Sequence, residues 1–146
     1  MAQFVLHVRT QSLTCDEFAA YQTLITELSR ERVDRLEHIN ALIASPHDHV
    51  VFVYTRCGAL IGMARLHVRV NGWGIEGLID DVIVLEQHRG RGIGTTLMRT
   101  LHGEAKRRGV TRCTLTSKPE RTDAHRRYLE LGYRQKNTVV LVKTPI

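Results

Sequence analysis

A chain of 146 residues, 42% hydrophobic and 25% charged, has the size of one domain. A cytoplasmic location is the expectation: the first residues lack the cationic start and apolar run of a secretory signal, and no window of about 18 apolar residues is present to span a membrane. Its three scattered cysteines (Cys15, Cys57, Cys113) form no C-x-x-C pair and only His47 and His49 of eight histidines lie close together, which excludes a disulfide framework and argues against a bound metal. A net charge of +6 suits an anionic partner such as a polyphosphate cofactor, whereas 5% aromatic residues offer few stacking rings for single-stranded nucleic acid.

Residues 4–9 alternate with period 2 and predict a first strand, β1. Thr14 or Asp16 is placed to cap a helix, α1, over residues 16–29, with Phe18, Tyr21, Ile25 and Leu28 on one face. After a bend at residues 29–32, Val33, Leu36, Ile39, Leu42 and Ile43 repeat the pattern as α2. Ser45-Pro46 ends it, because the residue before proline is driven out of the α region. Residues 50–54 (β2) and 60–70 (β3) flank a Cys57-Gly58 turn as a hairpin, and Asn71-Gly72-Trp73-Gly74 turns the chain into β4, residues 75–84. A third helix, α3, begins near Gly92, presents Ile93, Leu97, Met98, Leu101 and Ala105 inward, and closes at Gly109. Residues 111–116 form β5, joined to β4 by the right-handed crossover of parallel strands. Ala124, Tyr128 and Leu131 mark one face of α4, stopped by Gly132, and residues 135–143 alternate into a last strand, β6. With no repeat and no linker, this order predicts a single α/β domain over residues 1–146.

The chemistry concentrates between residues 79 and 101. There the acidic pair Asp80-Asp81 enters an apolar strand, and Arg89-Gly90-Arg91-Gly92-Ile93-Gly94-Thr95 leads into α3. Glycines at alternate positions, beside two arginines and just before a helix, let the backbone approach a bulky anion. They also aim free N–H groups at it with the helix dipole behind them. A phosphate-bearing ligand is implied. Neither G-x-x-x-x-G-K-[ST] nor G-x-G-x-x-G fits these glycines, so the common nucleotide-binding loops are excluded.

Arg89-x-x-Gly92-x-Gly94 resembles the acyl-CoA-binding motif, R/Q-x-x-G-x-G/A, of the GNAT superfamily of acetyl-CoA-dependent N-acetyltransferases. Ala124-x-x-x-Tyr128-x-x-x-Gly132-Tyr133 is similar to that family's second motif. Motifs and element order together cover residues 4–143, and the resemblance implies a mixed sheet splayed between β4 and β5. It implies that the backbone of Arg89, Gly90, Arg91, Gly92, Ile93, Gly94 and Thr95 holds the CoA pyrophosphate. It further implies that Val82, Ile83 and Val84 flank the pantetheine arm, the last two by hydrogen bonds, and that Tyr128 protonates the departing thiolate. Arg121 stands where the family often has asparagine, which removes any expectation of that contact to CoA.

An alkylammonium acceptor has to lose a proton before attacking a thioester, at a cost of about 4 kcal/mol at neutral pH for a group with pKa near 10. Asp80 and Asp81 are candidate proton acceptors, and Glu76 and Asp80 candidate contacts to the amine, because all three lie on the strand that the resemblance places beside the thioester. A strict period of two sets Asp80 with Val84 on one face and Asp81 with Ile83 on the other. Leu78 stands where the family commonly carries its base. Locally, Asp123-Ala124-His125-Arg126-x-Tyr128-Leu129-x-x-Gly132-Tyr133 resembles the aminoalkylphosphonate acetyltransferase branch. That resemblance implies a small amine bearing an anionic group, which Arg65, His67 and Arg69 on β3 would meet. The expectation is acetyl transfer from acetyl-CoA to a small primary amine, without metal, nucleic-acid or membrane partner. The alternatives are a peptide N-acetyltransferase and a CoA-binding regulatory module without turnover, and the architecture leaves room for a homodimer through the final strand.

Overall fold

Local chemistry sets the ends of the elements. Thr14 opens α1 with a capping box, its hydroxyl accepting from the Glu17 amide at 3.2 Å while the Glu17 carboxylate accepts from the Thr14 amide at 2.9 Å. Gly109, at φ 74°, closes α3 as its amide and that of Val110 bond the carbonyls of Lys106 and Ala105. The computed structural model describes residues 3–146. Its elements are β1 (Phe4–Val8), α1 (Cys15–Leu28), α2 (Leu36–Ala44), β2 (Asp48–Thr55), β3 (Leu60–Asn71), β4 (Gly74–Val84), α3 (Ile93–Arg107), β5 (Arg112–Leu115) and α4 (Thr122–Glu130), with a 3-10 turn at Glu86–His88. No helix is long and apolar enough to cross a membrane among the described residues.

The chain divides into two compact units, one running to Thr116 and one spanning Ser117–Ile146. The first holds a five-stranded sheet in the order β1-β2-β3-β4-β5, antiparallel except for the parallel β4–β5 pair. The expected mixed α/β architecture is therefore present. Alternation along β2 turns Val50 and Phe52 to one face and Val51 and Val53 to the other, all at most 1% exposed, so both faces are covered. Tyr21, Leu24 and Ile25 of α1 and Ile39 and Ile43 of α2 pack with Phe52, Met63 and Ile83 on the first face. Helix α3 packs on β3 and β4 through Ile93, Leu97, Met98 and Leu101, each at most 1% exposed. The β4–β5 ladder joins Glu76–Ile79 to Arg112–Leu115 only. Residues 80–84 of β4 continue without a partner on that side among the described residues, as a sheet splayed there requires.

Three expectations change. Helix α2 starts at Leu36, and Val33, expected on its inner face, lies outside it and 81% exposed. In the link before it Arg32 pairs with Asp34 and Asp81, and Arg35 is extended as the N-cap. Residues 135–143 form no strand: Val139, Val140, Leu141 and Val142 are exposed and no ladder reaches them among the described residues. A period-2 pattern supplies one half of a ladder, and without a partner it has nothing to bond. The third change is in β4, where the pairing passes from Arg65↔Asp80 to Met63↔Ile83, so that two residues, Asp81 and Val82, oppose Ala64 alone. That is a β-bulge, and it reverses the alternation beyond it.

Candidate active site

The glycine turn before α3 forms as its sequence demands. Gly90 and Gly92 stand at φ 75° and 77°, a region that costs other residues about 1–2 kcal/mol. Neither is crowded, since a Cβ at either would meet nothing within 4 Å, so the glycines serve backbone conformation here. Gly92 is the N-cap of α3 and offers no side-chain cap, and the first turn carries no acidic residue. The first intrahelical bond runs from the Thr96 amide to the Gly92 carbonyl at 3.0 Å, which leaves the amides of Ile93, Gly94 and Thr95 without intrahelical partners at the positive end of the dipole. Arg89 ties the turn to β4, its Nε donating to the Val84 carbonyl at 2.9 Å and an Nη to Glu27 at 3.1 Å. Arg91 is exposed. Val82, Ile83 and Val84 thus end one element before the turn, on the stretch of β4 that β5 leaves unpaired.

The acidic pair splits. Directly paired residues share a face, so Asp80 lies with Arg65, and because of the bulge it shares that face with Met63 and Ile83 rather than with Val84. Its side chain is 42% exposed and accepts one hydrogen bond, from Arg65 Nη2 at 2.9 Å. Asp81 occupies the bulge at φ 53°, the one non-glycine residue with positive φ among those described, and its side chain is 9% exposed. Arg32 grips it twice, at 2.5 and 3.2 Å, and holds Asp34 in the same fork at 2.6 and 2.8 Å. These bonds to Asp81 and Asp34 raise the Arg32 pKa, while Arg32 keeps the Asp34 carboxyl low against its burial. Tyr21 donates its hydroxyl to Asp34, and burial followed by that bond pushes its phenol up. Arg65 is the second hub, donating to Asp48 at 2.7 Å, with its Nε buried and 4.0 Å from Asp81. Arg32, Asp34 and Asp48 had no role in the sequence reading. The signal available was Arg32-x-Asp34 in a short link between two helices.

Glu76 is 2% exposed and fully engaged. It accepts from Arg69 at 2.7 and 3.0 Å, from Asn71 at 3.2 Å, from Arg112 at 3.3 Å and from Thr114 at 3.4 Å. The Arg69 bonds, outweighing burial, hold its carboxyl at about 2. Arg112 also lies 4.0 Å over the Trp73 ring. The three basic β3 side chains expected to meet an anionic group are therefore engaged already: Arg65 with Asp48 and Asp80, His67 with Asp48 at 3.2 Å, and Arg69 with Glu76.

In the second unit, α4 carries Tyr128, 7% exposed and edge-on to Tyr133 at 5.9 Å. Burial raises its phenol pKa, with Arg121 and Arg127 pulling the other way. Tyr128 is thus protonated at neutral pH, the state a proton donor needs. Among the described residues, no group of three or more His, Cys, Asp and Glu side chains is placed to hold a metal ion.

Comparison with known proteins bears on this geometry directly. The model of the acetyltransferase (GNAT) family matches residues 11–133. An aminoalkylphosphonate N-acetyltransferase from Salmonella typhimurium is 30% identical over 128 residues, 84% of this chain and 82% of that protein. Among solved structures, glucosamine-6-phosphate N-acetyltransferase from Arabidopsis thaliana superposes with a TM-score of 0.80 at 16% identity, over 99% of this chain and all of the other. An aminoglycoside antibiotic 6'-N-acetyltransferase from Acinetobacter baumannii does so with 0.77 at 21%, over 98% and 99%; at such identities the likeness is one of fold. A family pattern running from before α1 to Tyr133 just after α4, on a fold with this glycine turn, makes the chain a member of the acetyltransferase (GNAT) family and an N-acetyltransferase, in a family whose acetyl donor is acetyl-CoA.

Proposed function

We propose that this chain moves the acetyl group of acetyl-CoA to the primary amine of a small molecule by direct attack. The observation that carries the reading is the far half of β4: unpaired on one side among the described residues, it bears the half-exposed Asp80 and runs into a glycine turn whose first helix amides have no intrahelical acceptors. The amides from Gly90 to Thr95 take the pyrophosphate, with Arg91 beside them and Arg89 anchoring the turn, and Val82 to Val84 line the pantetheine arm. Strand-edge amides of residues 82–84 stabilise the oxyanion. Asp80 receives the ammonium and relays its proton to solvent, since its carboxylate is the accessible one; Asp81 and Glu76 are spent on internal ion pairs. Tyr128 protonates the thiolate, a role supported by its motif position and its protonated phenol. Both units serve one catalytic domain, as a family pattern crossing from one into the other supports.

The acceptor is read chiefly through its ammonium, because four carboxylates (Asp34, Asp48, Asp80, Asp81) share the guanidiniums of Arg32 and Arg65 on this face. The Salmonella relative is named for aminoalkylphosphonates, so these belong in the first panel beside alkylamines, diamines and amino sugars. Free thiol released from acetyl-CoA is the readout, and turnover with small amines is expected. Release with peptides alone would replace the small-molecule reading, and acetyl-CoA binding by calorimetry with no release would make the chain a binding module. Three free cysteines, two of them exposed, support a reducing compartment, the cytoplasm, as the place of the reaction. A homodimer completes the proposal: Val139 to Val142 form a run of exposed strand formers of the kind a second copy covers, and a monomer by light scattering would remove this part.

A further inference from the structure

We infer that Arg32, in the link between α1 and α2, is a positioning residue that holds the β4 bulge in register by clamping Asp81. The inference rests on the reading above in one respect, that β4 carries the thioester and the amine. Asp81 sits in a left-handed conformation that an L residue leaves when nothing restrains it, though aspartate tolerates it better than most. What restrains it is a guanidinium from a segment 49 residues earlier, which makes two hydrogen bonds to its carboxylate. The clamp is itself anchored. The other edge of the guanidinium grips Asp34, whose carboxylate takes the hydroxyl of the buried Tyr21 and whose carbonyl takes Gln22 Nε2 at 3.1 Å. A chain of bonds thus runs from the body of α1 to one strained residue of β4.

The bulge decides which side chains of β4 share a face. With it, Asp80 and Ile83 lie together; without it, strict alternation returns Asp80 to the face of Val84 and turns residues 82–84 over. Arg32 therefore sets the relation between the carboxylate that meets the amine and the strand edge that meets the cofactor, though it need touch neither ligand. In this assignment the role of Asp81 is conformational, and its carboxylate is not the proton acceptor.

Glycine adopts a positive φ without a clamp, which gives the test. Arg32→Ala, Asp81→Gly and the double variant are compared with the native chain for kcat, for KM of acetyl-CoA and amine well below the melting temperature, and for Tm. Arg32→Ala is expected to lower kcat and raise KM for acetyl-CoA by about tenfold in combination, the scale of one strained residue. Asp81→Gly should keep most of the native turnover, and adding Arg32→Ala to it should change kcat and KM little. A clamp that served stability alone would lower Tm and leave the kinetic constants of the folded enzyme unchanged, which would overturn the inference. So would an Asp81→Gly variant that is folded by circular dichroism yet inactive, or an Arg32→Ala effect undiminished in the glycine background. If Asp81→Gly does not fold, Asp81→Asn, which tolerates the same conformation, takes its place with the same criteria. The Tm cycle needs no turnover: if the native chain acetylates no amine, the functional reading falls, while coupling between Arg32 and Asp81 in Tm still decides whether the clamp exists.

Discussion

Two neighbouring aspartates with the same chemistry stand in opposite surroundings. Asp80 is half exposed on a single ion pair, whereas Asp81, with its side chain 9% exposed, is held in a bidentate grip. Asp80→Asn should therefore lower kcat/KM for the amine by about 100-fold, the low end for a lost proton acceptor, while acetyl-CoA affinity by calorimetry stays native. Tyr128→Phe should cost kcat by a similar factor of about 100 and leave both KM values near native, because the phenol is needed only as the thiolate departs. Glu76 makes a different prediction. Its folded pKa, about 2, lies below its unfolded value, so its ion pairs stabilise the fold fully above that unfolded value and are lost as pH falls toward 2. Urea midpoints should drop between pH 5 and pH 3, and Glu76→Gln should flatten that part of the drop.

At the scale of elements, β3 and β4 are stitched by charge as well as by their ladder, with Arg65 opposite Asp80 and Arg69 opposite Glu76. Arg69→Ala leaves a buried carboxylate short of two donors and is expected to cost about 1–3 kcal/mol in urea unfolding, with the kinetic constants close to native. The glycine turn answers to backbone conformation. Gly92→Ala should weaken acetyl-CoA binding about tenfold in calorimetry, since a left-handed L residue costs on the order of 1–2 kcal/mol and the site relies on that geometry. These elements were legible in the sequence because their signals are local: Thr14 with Glu17 for a cap, Gly109 for a helix end, and glycines 90, 92 and 94 for the turn. Their pairing was not. Arg65, His67 and Arg69 read as cations waiting for an anionic substrate, and the structure shows each facing a carboxylate on a neighbouring strand.

For the whole molecule, the sequence by itself determined the order of the elements from β1 to α4, the mixed α/β class, the glycine turn before α3 and the family, because periodicity, caps and glycine spacing act over a few residues and survive without tertiary context. It also placed Tyr128 on a helical face that the structure buries. The tertiary structure alone decided three things. One is the bulge at Asp81, since an extra residue in a strand is defined only against the strand beside it, and alternation read along one chain cannot register it. Another is the fate of residues 135–143, whose strand-forming composition needs a partner edge before it becomes a strand. The last is the division of labour among carboxylates, which follows from guanidiniums as distant in sequence as Arg32 is from Asp81. Which acid is spent on internal ion pairs and which stays accessible is a property of distances in space, and those exist only once the chain has folded.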